Sequence, residues 1–197
     1  MSETTEIFEP RDEADLRAWL TQHHDRGNGV WLVLRKKSAP VPNLSWGQAV
    51  RVLLCFGWID STSGSLDEHR SKLWVCPRKK GSWWSGINKG VVGELLEQGL
   101  MEPAGLAAVD RAKADGTWSA LDEVEAGVIP PDLAQAFVAF PGSAAQFHAF
   151  PRSARRALLE WVARAKRPIT RSTRVHEVAE CAARGERANQ WQPRKSQ

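Results

Sequence analysis

Two spacings of apolar residues divide this chain into an early mixed part and a late helical part. Ile7-Phe8 is a short strand candidate stopped by Pro10. Leu16, Trp19, Leu20 and His23 then recur at helical intervals, behind Asp12, Glu13 and Asp15, which favour the positive end of a helix over 12–25. Gly27-Asn28-Gly29 breaks the chain before Val30-Trp31-Leu32-Val33-Leu34, a compact strand-forming run. Ser45-Trp46-Gly47-Gln48 has capping-box form and opens a helix through Ala49, Val50, Leu53 and Leu54, with Gly57 as its C-terminal glycine. Trp58-Ile59-Asp60 leaves extended, Ser61 to Ser65 reads as a loop, and Leu73 to Val75 resumes a strand that Pro77 ends or marks as an edge. Ser82 or Ser85 caps a helix through Val91, Val92, Leu95 and Leu96 to Gly99. Pro103 opens the next, through Leu106, Val109 and Lys113 to Gly116.

Beyond an acidic stretch ending in Pro130-Pro131, the remaining apolar positions are helical: Leu133, Ala136, Phe137 and Phe140; then Ala154, Leu158, Trp161, Val162 and Ala165; then Val175, Val178, Ala179 and Ala182. Strands early and helices late predict an α+β fold, a small mostly antiparallel sheet with packed helices followed by a helical C-terminal region. The expected division is an α+β body over 1–118, a connector over 119–130, helices over 131–190 and a basic tail over 191–197.

Composition then narrows the class. A chain of 197 residues, 42% hydrophobic and 25% charged, suits a globular protein, and it holds no apolar run near the roughly 20 residues that cross a bilayer. The acidic start does not read as a secretory signal, and Cys55, Cys76 and Cys181 are odd in number with no CxxC spacing, so the expectation is a cytoplasmic protein with reduced thiols and no membrane insertion. The net charge of +4 conceals an asymmetry: from Pro151 onward 12 Lys/Arg face 4 Asp/Glu. Arg152, Arg155, Arg156, Arg164, Lys166, Arg167, Arg171 and Arg174 make nucleic acid a conceivable partner, although a solvated helix face partly paired with Glu160, Glu177 and Glu180 is the favoured reading.

The densest chemistry lies between Phe56 and Asn88. A helix start exposes unpaired N–H groups, and Arg78, Lys79 and Lys80 precede one here, with Ser82, Ser85 and Asn88 able to donate to oxygen and Trp84 able to wall a pocket. Plain capping by the serines and solvated bases is the competing reading. Asp60, beside Trp58, could hold a ligand, orient Arg78 or act as a base, but an Asx turn or a salt bridge to Arg78 is the favoured reading. Lys36 and Lys113 could reach the same place, or end a strand and snorkel over Trp118. The candidate ligand site is therefore Lys36, Trp58, Asp60, Arg78, Lys80, Ser82, Trp84, Ser85, Asn88 and Lys113, with Asp60 the one catalytic candidate. The five histidines form neither HExxH nor a Cys/His cluster, and GxGxxG, P-loop and GxSxG patterns are absent, so no metal and no cofactor is called for.

Several ordered motifs carry a resemblance. Gly57-Trp58-Ile59-Asp60, Pro77-Arg78, Ser82-x-Trp84-Ser85-x-x-Asn88, Gly99-x-Met101-x-x-Ala104-Gly105, Ala112-Lys113-x-x-Gly116-x-Trp118 and Ala165-Lys166-x-x-x-Thr170-Arg171-x-x-Arg174 resemble the YdeI/OmpD-associated, or bacteriocin-protection, family across nearly the whole chain. Ile169 departs from the acid that members often carry before the Thr-Arg pair. The resemblance implies a link with envelope stress and antimicrobial resistance, without an established reaction. The leading expectation is a stress-protection protein that binds an anionic or hydroxyl-rich small ligand in a basic, Trp-lined pocket. The alternatives are an enzyme using Asp60, and a nucleic-acid-associated protein using the C-terminal bases. Oligomeric state has no signature in the sequence.

Overall fold

The computed structural model describes residues 6–189, so the basic tail expected over 191–197 lies outside the described residues. The chain divides into two compact units, one up to Ala120 and one from Leu121 onward.

The first unit carries β1 (Ile7–Phe8), α1 (Glu13–His23), β2 (Val30–Arg35), α2 (Trp46–Cys55), β3 (Trp58–Ser65), β4 (Arg70–Pro77), α3 (Gly86–Glu97) and α4 (Pro103–Ala114). Its four strands form one sheet in the order β1-β2-β4-β3. β1 runs parallel to β2, while β2–β4 and β3–β4 are antiparallel, as expected for an α+β body. One correction concerns Ser61 to Ser65, read as a loop from its small polar residues. It is the second half of β3: after an irregularity between Asp60 and Ser63, Ser63, Gly64 and Ser65 pair with Leu73, Lys72 and Ser71. β3 is an edge strand, so main-chain pairing on one side holds it without apolar alternation, and polar side chains suit its exposure.

Local chemistry explains the helices. Asp12 caps α1 by accepting from the Asp15 N–H at 2.8 Å. Ser45 and Gln48 complete the reciprocal capping box of α2. Ser85, rather than Ser82, caps α3. Leu16, Leu20, Val30, Leu32, Leu53, Trp58, Leu73, Val75, Trp84 and Leu95 fill the core between helices and sheet. α4 meets the end of α2 at Gly105, where a Cβ would fall 2.1 Å from the Cys55 carbonyl oxygen. That same oxygen accepts from the Glu102 N–H at 3.0 Å.

The second unit is helical: α5 (Asp122–Ala126), α6 (Pro131–Ala139), α7 (Ser143–Ala149), α8 (Arg152–Ala163) and α9 (Pro168–Ala183). α5 lies inside the stretch read as a connector, and α7 fills a gap between expected helices. Both are short, so their apolar residues are too few to show a period. The unit has its own interior, with Leu133, Phe147, Leu159, Val162, Val178 and Ala179 buried. No helix among the described residues is long and apolar enough to cross a membrane.

Candidate functional site

The sequence-expected residues separate into three environments. Trp58 is completely buried and its indole N–H donates to the His24 carbonyl at 3.0 Å, so it is a core residue rather than a pocket wall. Asp60 accepts from the Trp46 indole N–H at 3.0 Å. Lys36 closes the sheet end instead of approaching Arg78: its Nζ donates to Ser65 Oγ at 3.0 Å and to the Asp67 carbonyl at 2.6 Å.

The second group surrounds the start of α3. Ser85 Oγ accepts from the Asn88 N–H at 3.3 Å, which is the capping role. Trp84 is buried, takes a backbone bond from its own N–H to the Thr117 carbonyl at 3.2 Å, and lies 5.1 Å from the Trp118 ring. Trp118 in turn carries two cations, with Lys89 and Lys113 at 5.9 and 5.5 Å from its ring. Lys80 is exposed; its charge helps hold the Asp115 carboxyl below its ordinary range, behind the larger effect of hydrogen bonds from Thr117.

Arg78 stands apart. Only 6% of it is exposed, and its guanidinium carbon lies 3.7 Å from the Trp84 ring centroid. Nη1 donates to Ser82 Oγ and to the Trp83 carbonyl, both at 3.3 Å. Nε and Nη2 are buried and find no acceptor among the described residues. Burial pulls its pKa down to about 10, opposed by the negative charge of Asp60. The group therefore stays cationic at neutral pH, with a carboxylate acting at range and none bonded to it. A buried charge left partly unsatisfied is costly, and perturbed groups of this kind cluster at functional sites.

Arg78 also lines a cleft of about 630 Å³ with Glu6, Arg26, Gly27, Asn28, Gly29, Trp74, Cys76, Pro77 and Lys79. Strand pairing brings these together: the loop before β2 lies beside the end of β4 because Val30 is in register with Val75. Gly29 has no room for a side chain, since a Cβ would meet the Val75 carbonyl oxygen at 2.5 Å and the Trp74 ring at 2.6 Å. Three cations face one carboxylate there. Glu6 is held below its ordinary range by its 2.7 Å hydrogen bond from Arg26, while burial pushes the Cys76 thiol up. Of the sequence-expected set, Arg78 alone lines this cleft. Lys79 was visible in the Arg-Lys-Lys run and Gly27 to Gly29 as a chain break, but nothing in their spacing couples them to Arg26 or Trp74.

Residues 8–108, just over half of the chain, match the family described as a domain of unknown function, DUF8412. The chain belongs to the DUF8412 family. Residues 126–185 match the family described as bacteriocin-protection, YdeI or OmpD-associated. The second unit of this DUF8412 member thus carries the expected kinship, and the Thr170-Arg171 and Arg174 motif lies within it. The motifs from Gly57 to Gly105 fall inside the DUF8412 stretch, and Ala112 to Trp118 lies between the two matches. No curated protein and no solved structure matches the chain.

In the second unit much of the basic charge is already engaged. Arg171 makes a forked pair with Asp132 at 2.6 and 3.0 Å. Arg184 pairs with Glu180 and Glu186, and Arg156 with Glu125 and Glu160. Arg174 donates to the Trp161 carbonyl and lies over the Trp161 ring at 4.9 Å.

Proposed function

We propose that this is a protection-family protein whose first unit holds a small anionic ligand in the cleft ending at Arg78. The supporting observation is the Arg78 guanidinium: buried, charged, stacked on Trp84 and with two nitrogens lacking an acceptor among the described residues. A carboxylate or phosphate oxygen supplies the missing acceptors, and a charge-assisted bond in a low-dielectric site is stronger than a neutral one. Arg26 and Lys79 add attraction at the rim, Asn28 offers an amide, and Trp74 covers an apolar portion of the ligand. Nε and Nη2 are buried, so on this reading an anion reaches them by displacing the exposed turn at Lys79, Lys80 and Gly81, which the Ser82 N–H to Lys79 carbonyl bond closes. This reading moves the ligand away from Lys36, Trp58, Ser85 and Asn88 and keeps Arg78 as its anchor. Asp60 acts on Arg78 through its charge and needs no catalytic role. A reducing, cytoplasmic setting belongs to the same reading, supported by Cys55, Cys76 and Cys181 all being free thiols.

The test is a thermal-shift and calorimetric screen of the whole chain against inorganic phosphate, nucleoside monophosphates, sugar phosphates and di- and tricarboxylates. A saturable response lost in Arg78→Met but kept in Lys113→Gln supports the cleft. No response to any anion, or a response unchanged in Arg78→Met, refutes it.

A further inference from the structure

The first turn of α8 breaks a general rule of helix electrostatics. A helix start is positive and favours acids, yet this one carries Arg152, Arg155 and Arg156, with no acid in the turn and no side-chain cap. Arg156 is compensated by Glu125 at 3.4 Å and Glu160 at 3.0 Å. Arg152 and Arg155 make no side-chain hydrogen bond or ion pair with any described residue. A local rule broken without compensation within the fold is a mark of function.

These three arginines line a partly open hollow of about 250 Å³ together with Glu125, Gly127, Ile129, Phe147, His148 and Leu159. Beside it lies a second hollow of about 320 Å³, lined by Ile129, Ala134, Phe137, Val138, Ala144 and His148. Ile129 and His148 belong to both, so the hollows are neighbours. One is cationic; the other has only His148 as a polar side chain. The cationic hollow alone is smaller than the roughly 300–1,000 Å³ of ordinary ligand pockets, and the shallow apolar hollow beside it offers further contact across Ile129 and His148.

We propose that the second unit binds a small amphiphile whose single anionic head, a phosphate monoester or carboxylate, sits among Arg152, Arg155 and Arg156 and whose apolar tail occupies the hollow beside Phe137 and Val138. The head relieves the like-charge crowding at the start of α8. The tail removes apolar surface from water at Val138, which is 82% exposed. Both halves are needed: a bare anion meets Arg152 and Arg155, with Arg156 already paired to Glu125 and Glu160, but leaves the apolar hollow empty, and a neutral alcohol fills the hollow without neutralising the arginines.

The experiment is isothermal titration of the full chain with monomeric octyl phosphate, inorganic phosphate and 1-octanol. Octyl phosphate is expected to bind with one site and at least about tenfold more tightly than either fragment, since each buried methylene and each charge-assisted bond adds affinity. Arg152→Gln/Arg155→Gln reduces octyl phosphate to the affinity of octanol while the unliganded protein melts at the same or a higher temperature. Val138→Asp, on the exposed rim, reduces it toward inorganic phosphate without unfolding the protein. Arg78→Met leaves the octyl phosphate response intact, which separates this site from the cleft of the first unit. The proposal is overturned if octyl phosphate binds no better than its fragments, if the double Arg variant keeps full affinity, or if only anionic vesicles bind.

Discussion

With its pKa pulled down only to about 10, the guanidinium over Trp84 remains charged at pH 7 inside a nearly dry setting. Replacing a buried, incompletely satisfied ion by an apolar group of similar shape is often neutral or stabilising. Arg78→Met is therefore expected to melt at the same temperature or several degrees higher in ligand-free buffer, read by differential scanning calorimetry. A purely structural Arg78, needed to tether Ser82 and Trp83, predicts a large drop instead. At Asp132 the sign is opposite. The hydrogen bond from Arg171 holds this carboxyl below its ordinary range, so the pair adds stability above the unfolded-state pKa and loses it as pH falls through the lowered folded value. Melting temperature should fall below about pH 4, and Asp132→Asn should flatten that acid limb. Because the pair is partly solvated, the effect at neutral pH is modest, at most about 1 kcal/mol.

Among the elements, α2 and α4 make the most demanding contact. The hydrogen of Gly105 faces the Cys55 carbonyl, a backbone atom fixed by its place at the end of α2. Met101 can swing away, but Gly105→Ala still collides with the Cys55 backbone, so overpacking of about 1–3 kcal/mol is expected, with a melting-temperature loss of several degrees by circular dichroism. An unchanged melt would mean that the two helices can slide apart. Element identity was legible where chemistry is local: the acids before α1, the capping box of α2, Pro103 before α4. It was not legible in β3, whose second half is a strand because β4 pairs with it. Nor was it legible in α7, which has only seven residues and gains its stability from packing in the second unit.

At the scale of the whole molecule, the larger core draws its members from Phe8 to Trp118, all within the first unit, while Leu133, Phe147, Val162 and Val178 are buried in the second. A fragment ending at Ala120 is accordingly expected to fold cooperatively, with a single urea transition and native near-ultraviolet dichroism; a broad, uncooperative transition would show dependence on the remainder of the chain. This separation also explains what was hidden at the candidate site. Arg78 could be singled out from its neighbours in sequence, since the bases and indoles there are adjacent along the chain. Arg26, Gly29 and Trp74 could not, because only the pairing of β1, β2 and β4 makes them neighbours.

A positive charge resting on the face of an indole shifts the energy of that ring's lowest electronic transitions, and here the ring is fully shielded from solvent. Trp84 should consequently behave as a built-in optical gauge of its cation: neutralising Arg78 changes the emission colour without any added dye. Subtracting the spectrum of Trp84→Phe from that of the parent protein isolates this signal from the other nine tryptophans.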